Sequence, residues 1–157
     1  MKKNFGSQHW LFPQPVLMIA TYNEDGTPDI MNAAWGGISG SDEISISISS
    51  SHKTAENLLK RGAFTVSFAT AAQVAACDYV GLVSGNKVPD KFARAGFHAV
   101  KSEFVDAPLV EELPMALECR VRSYDTETDI LRGEIVNVSA DETILTDGKI
   151  DPAKFRP

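Results

Sequence analysis

Cysteine is scarce in this chain: Cys77 and Cys119 are the only two, far apart and each in a partly apolar run. That fits reduced thiols used as small core residues in a cytosolic protein, not a disulfide framework. His9, His52 and His98 offer no short paired spacing with the cysteines or with one another, so no metal site is expected. Clustered positive charge is missing too. A net charge of −6 excludes a general nucleic-acid surface while leaving room for a small local anion site. No apolar run approaches the ~20 residues a membrane helix needs. The N-terminal stretch MKKNFGSQHWLFPQP has two lysines but no apolar segment of signal-peptide length, so a soluble, cytoplasmic protein is expected, with no membrane partner. Repeats, low-complexity tracts and an interdomain linker are absent, and 157 residues with 43% hydrophobic content read as one domain over 1–157.

Short segments of alternating polarity are abundant. Pro15 to Tyr22 (PVLMIATY) reads as a buried strand, Asn23-Glu24-Asp25-Gly26 as a turn, and Asp29 to Trp35 as the return strand, ended by Gly36 and Gly37. Ile44 to Ser49 alternates strictly. Helix formers follow from Thr54, with Gly62 placed as a C-cap. Ala63 to Ala69 is a strand, Ala71 to Val80 a short helix, and Val83 to Gly96 a loop with a helical turn around Asp90-Lys91-Phe92. Leu113 to Tyr124 and Leu131 to Ser139 are two further strands. The strands lie too close together for a βαβ series, so the chain is expected to be mainly β with peripheral α: a barrel or strongly curled sheet. After Ile150 no closing element is visible, and the C-terminal segment is expected to be truncated.

Four stretches stand out for what they leave small or polar. In Ile44 to Ser49 the isoleucines take one face and Ser45, Ser47 and Ser49 the other. The serines either face water or leave room for something flat and partly polar. Ser50-Ser51-His52-Lys53-Thr54 lies where a strand gives way to a helix, whose unpaired N–H groups suit a phosphate; taken by itself Thr54 reads more simply as an N-cap, a role compatible with phosphate binding. Met31-Asn32-Ala33-Ala34-Trp35-Gly36-Gly37 exposes backbone groups that could meet a ring system, or else packs tightly with Trp35 in the core. Ser84 to Phe92 (SGNKVPDKF) is either a surface loop with solvated Lys87 and Lys91 or a flap bringing a second cation to a phosphate.

PQPVLMIATYNEDGTPDIMNAAWGG, the strand leading into KTAENLLKRGAFTVSF, then DYVGLVSGNKVPDKFARAGF, and finally LECRV…GEIVNVSADE, in that order, resemble the flavin reductase-like family of FMN-binding split β-barrels, flavoredoxin type. The resemblance spans about residues 10 to 157. It implies a Greek-key-like split barrel with short helices outside, and a homodimer with FMN near the interface. It also implies a ring site at Thr21, Asn32, Ala33, Ala34 and Trp35, and a phosphate site at Ser49, Ser51, Lys53 and Thr54, assisted by Lys87 or Lys91. Many relatives have an arginine where this chain has Ser51-His52, and many continue past the equivalent of Pro157.

The chemistry this implies is hydride transfer from a nicotinamide to the flavin. That needs ring positioning and little acid–base machinery. It agrees with the lack of any Ser/His/Asp or Cys/His set and of a Rossmann glycine fingerprint, so no catalytic side chain is assigned and NADH or NADPH is expected to bind transiently. Two other readings stand beside the reductase: an electron carrier whose acidic surface docks a redox protein, and a split-barrel module that has lost flavin.

Overall fold

The computed structural model describes residues 1–157. β1 (Leu17–Tyr22) owes its unbroken apolar sequence to burial on both faces: Leu17 and Ile19 enter one core, Met18 and Ala20 another. It pairs with β2 (Pro28–Ala33) across a turn in which the Asn23 N–H donates to the Thr27 carbonyl at 2.8 Å and Gly26 takes φ +84°.

The two glycines that were expected to end the return strand instead open a new one. β3 (Gly36–Ile38) pairs with β4 (Glu43–Ser47), and a Cβ at Gly36 would sit 2.9 Å from the Ser45 carbonyl oxygen. Glycine there permits a close approach of chains.

α1 (Lys53–Arg61) ends at Gly62, φ +67°, as its sequence predicts. β5 (Ala63–Phe68) follows. The next helix begins later than expected. α2 spans Val74–Leu82 because Thr70 to Gln73 forms a turn first, closed by Gln73 N–H to Thr70 O at 3.0 Å. α3 (Lys91–Arg94) is the expected helical turn. β6 (Ala99–Lys101) and β7 (Pro108–Val110) pair with each other, each too short to show periodicity in the sequence. β8 (Met115–Asp125) and β9 (Ile130–Ala140) are the long strands; register shifts at Glu118/Cys119 and Val121/Ser123 help them bend.

The C-terminal residues add a small hairpin and a helical turn. β10 (Leu145–Thr146) and β11 (Lys149–Ile150) form a hairpin around Asp147-Gly148, both with positive φ, the Asp-Gly signal of a tight turn. α4 (Pro152–Phe155) is capped by the Asp151 carboxylate and seats Phe155 edge-on against Phe68, centroids 5.8 Å apart.

The main sheet has the order β2-β1-β5-β8-β9-β4-β3 and is antiparallel throughout. It curls into a half-barrel: a Cβ on Gly36 of β3 would meet Leu17 of β1 at 3.1 Å, though those strands lie far apart in the order. Inside lie Ile44, Ile46, Ile48, Phe64, Val66 and Leu131, with Leu58 of α1 closing over them. A second core, including Ile30, Val80, Phe92 and Phe97, joins α2 and α3 to the outer face. Both cysteines are free and buried. No helix is long and apolar enough to cross a membrane.

Candidate functional site

The curl of the sheet brings the end of β2, the end of β4 and the start of α1 to one edge, where α2 and the loop after it complete a concavity. Its first lobe, about 430 Å³, lies between the α1 N-terminus and the Val80–Gly85 segment. The second, about 400 Å³, lies over Ala33, Ala34 and Trp35, with Ser47, Ser49 and Asp129 opposite. Met31, Asn32 and His52 line both and mark where they meet. Each lobe is within the usual size for a small-ligand site, about 300–1,000 Å³.

The first lobe is built to receive negative charge. His52 precedes α1 in an extended conformation and its side chain caps nothing. The N–H groups of Lys53, Thr54 and Ala55 therefore have no acceptor in the chain. Ser51 Oγ, 3.1 Å from Ser49 Oγ, adds a hydroxyl, and Lys53 adds a cation that rests on Glu56 at 3.0 Å. No acidic side chain lines this lobe.

Below it lies a buried network. Asp29, 1% exposed, accepts from the Thr54 hydroxyl on Oδ2 at 2.8 Å, while its Oδ1 faces Lys91 Nζ at 3.7 Å. That separation is an ion pair but too long for a hydrogen bond, and Oδ1 has no hydrogen-bond partner. Lys91, 3% exposed, donates to the carbonyls of Val80 and Val83 at 3.1 and 3.2 Å. Burial pulls the Lys91 ammonium below the usual lysine range, and the Asp29 charge opposes that pull. The pair thus ties the loop after α2 to the start of α1. Gly85 fits over it without a side chain; a Cβ there would come within 2.6 Å of Asp29 Oδ1.

The second lobe is small and flat-sided. Ser47 N–H donates to the Trp35 carbonyl at 2.8 Å, holding β4 against the turn that carries Trp35. Trp35 is exposed, not a core aromatic, and meets His9 edge-on at 5.9 Å. Asn32 is fixed by donating to the Cys77 carbonyl of α2 at 3.2 Å, pressed against Gly81.

Of the residues singled out in the sequence, Asn32, Ala33, Ala34, Trp35 and Ser49 line the second lobe, and Ser51, Lys53, Thr54 and Lys91 the first. Two of these have roles other than those expected. The Thr54 hydroxyl is already given to Asp29, leaving only its backbone N–H for a ligand, and the Lys91 amine is held among carbonyls below the lobe. Thr21 and Lys87 are not brought to either lobe. Strand alternation turns Thr21, fully buried, toward α1, where it accepts from Asn57 Nδ2 at 3.2 Å; Lys87 stands exposed in the turn after α2. Sequence reasoning missed His52 and Asp129. His52 sat in view within the quoted cluster, whereas Asp129 enters only through the β8–β9 hairpin and had no local signal.

This arrangement, an anion-ready helix start beside a small-residue lobe on a curled sheet, coincides with a known domain. Residues 9–152 match the model of the flavin reductase like domain. The chain belongs to that family. As a flavin reductase-like protein it shares its fold with flavoredoxin of Desulfovibrio vulgaris (Miyazaki F), at TM-score 0.95 and 40% identity over all of this chain and 86% of that one. Flavoredoxin from Methanosarcina acetivorans superposes at TM-score 0.87, with 28% identity over all of this chain and 84% of that chain. An uncharacterized protein of Escherichia coli (strain K12), YddH, is 31% identical over 86% of this chain and 75% of its own. The architecture is the mainly β split barrel of the family.

Proposed function

We propose that the protein binds FMN and catalyses NAD(P)H:flavin oxidoreduction. The observation that carries this reading is the continuity of the two lobes: three unpaired helix N–H groups with Ser51 and Lys53 at one end, and a shallow lobe walled by Ala33, Ala34, Ser47 and Ser49 at the other. The donors fit a phosphate, since backbone N–H groups, a hydroxyl and one cation answer its oxygens. The small walls fit a planar ring with carbonyls and ring nitrogens. The serine face of β4 then lies against the flavin.

When bound, FMN supplies the hydride-accepting chemistry, with nicotinamide as the donor. The chain's contribution is positional. Lys53 and the α1 N-terminus anchor the phosphate end. The Trp35 turn and β4 set the plane of the ring, and Asn32, fixed on Cys77 O, keeps the floor between the lobes rigid. A further cavity of about 540 Å³, bounded by Trp10, Leu11 and Pro13, shares Ala34 and Trp35 with the ring lobe and would receive the nicotinamide. Exposed Phe12 and Ile38, close in the chain to residues of this cavity, are apolar surface that a homodimer would cover. The cell location that suits this chemistry is the cytoplasm.

The 40% identity to a flavoredoxin favours a second reading, an electron carrier that exchanges electrons with a redox protein. One experiment separates the two. Purified protein is loaded with FMN, desalted, and mixed anaerobically with NADH or NADPH while flavin absorbance is followed. Bleaching supports the reductase. Retained flavin that neither nucleotide reduces, but a protein partner does, supports the carrier. A protein that retains none, and oxidises no NAD(P)H with FMN added, refutes both.

A further inference from the structure

Asp129 is the one acidic side chain among the residues lining the two lobes, and it lies on the ring side. It is held there with unusual care. Its φ of +57° is a conformation that side-chain-bearing residues adopt uncommonly, though Asp tolerates it better than most. Tyr124 Oη donates to Oδ1 at 2.9 Å and the Ser50 N–H donates to the same oxygen at 3.1 Å. The Asp129 carbonyl accepts from Ile48 N–H at 2.9 Å, and the Ile48 carbonyl, 2.7 Å from Tyr124 Oη, shares the single phenol proton with Oδ1. Burial, with Asp129 beside it, pushes the Tyr124 phenol up to about 12, so it stays a donor. All of these contacts use Oδ1 or the backbone; Oδ2 has no partner in the chain. The hairpin tip thus delivers a half-buried negative charge to the lobe wall in a fixed orientation. The two lysines of the site, Lys53 and Lys91, lie at the other lobe and are already paired with Glu56 and Asp29.

We propose that Asp129 tunes the flavin, holding its midpoint potential down. This rests on the FMN reading above. Reduction by a hydride adds two electrons and one proton, so the ring gains one negative charge unless a second proton follows. A carboxylate fixed beside it opposes that gain, and a partly desolvated setting screens the repulsion less than water would. The bound cofactor is therefore kept a strong reductant, suited to passing electrons onward.

Asp129→Asn isolates the charge. Asn keeps an oxygen to accept from Tyr124 and Ser50, and it also tolerates positive φ. Asp129→Gly, which takes that φ without strain, removes charge and acceptor together and serves as the second variant. FMN-loaded wild type and variants are titrated with dithionite in the presence of redox mediators. The expected result is a higher midpoint potential in both variants. For Asn it corresponds to about a tenfold rise in the affinity for reduced relative to oxidised FMN, about 30 mV for a two-electron couple. Flavin bound with an unchanged or lowered potential overturns the proposal alone. Loss of FMN from both variants also overturns it, by assigning Asp129 to binding. Wild type that holds no FMN overturns the reading beneath it as well.

Discussion

Asp29→Asn strands a buried ammonium, and its cost can be worked from the geometry. Asp29 and Lys91 are 1% and 3% exposed and 3.7 Å apart. At an effective dielectric of ~20 their attraction is roughly 4.5 kcal/mol. Removing the two ions from water costs a similar amount, so the intact pair adds little net stability. Breaking it is different. Asn still offers an oxygen to the Thr54 hydroxyl, so the substitution removes charge and little else. Loss of one partner from a buried pair costs about 3–5 kcal/mol. Deprotonation sets a ceiling: against an unfolded lysine value near 10.4, keeping the amine neutral at about pH 7 costs about 4.6 kcal/mol.

Burial already pulls Lys91 down, and the variant lacks the opposing carboxylate. Between its lowered folded value and about 10.4, the folded variant binds fewer protons than the unfolded chain, so its stability rises with pH, by up to about 1.4 kcal/mol per unit. Urea unfolding at about pH 7 and about pH 9 should show a deficit of about 3–5 kcal/mol that shrinks by up to about 2.7 kcal/mol at the higher pH. Lys91→Met should carry a similar deficit at neutral pH without that recovery, because it leaves a carboxylate unpaired instead. A deficit in Asp29→Asn below about 1 kcal/mol, or one indifferent to alkaline pH, refutes the reasoning.

Other outcomes follow from single sites. Lys53→Met should weaken FMN about tenfold or more, in line with about 1.5–3 kcal/mol for a charged hydrogen bond, while riboflavin binding measured by fluorescence quenching changes little; equal losses would remove the phosphate from α1. Gly85→Ala puts a Cβ 2.6 Å from Asp29 Oδ1 and 3.1 Å from Lys53 Cβ, so a loss of about 1–3 kcal/mol in denaturant unfolding is expected. Cys119 is pushed up to about 12, by burial first and then by the Glu118 charge, and burial raises Cys77; both thiols should resist iodoacetamide until the protein is unfolded. His98 is raised by its hydrogen bond to Glu112 and by that residue's charge. Whatever stability the contact gives is full below the unfolded histidine value and lost as pH rises through the raised one. An NMR titration of His98 should shift downward in Glu112→Gln.

The strands, the capped α1 and the mainly β class were legible in the sequence because each rests on local periodicity. Ile44, Ile46 and Ile48 alternate into the core, and Gly62 takes the left-handed cap its position requires. The Ala33-Ala34 pair beside Trp35 and the start of α1 likewise marked one side of the cavity, since backbone exposure and unpaired helix N–H groups are properties of short segments. Which side chains are free to act was decided by partners far away in the chain. Thr54 gives its hydroxyl to Asp29, Lys91 is drawn under the lobe by Val80 and Val83, and Thr21 turns toward Asn57. Asp129 reaches the ring lobe only because the β8–β9 hairpin returns beside β4, where Ile48 and Ser50 hold it. A hydroxyl or charge has the same letter whether it is spent on a neighbour or left open. The closing of the sheet brings those neighbours together, so it settles which of them remain available.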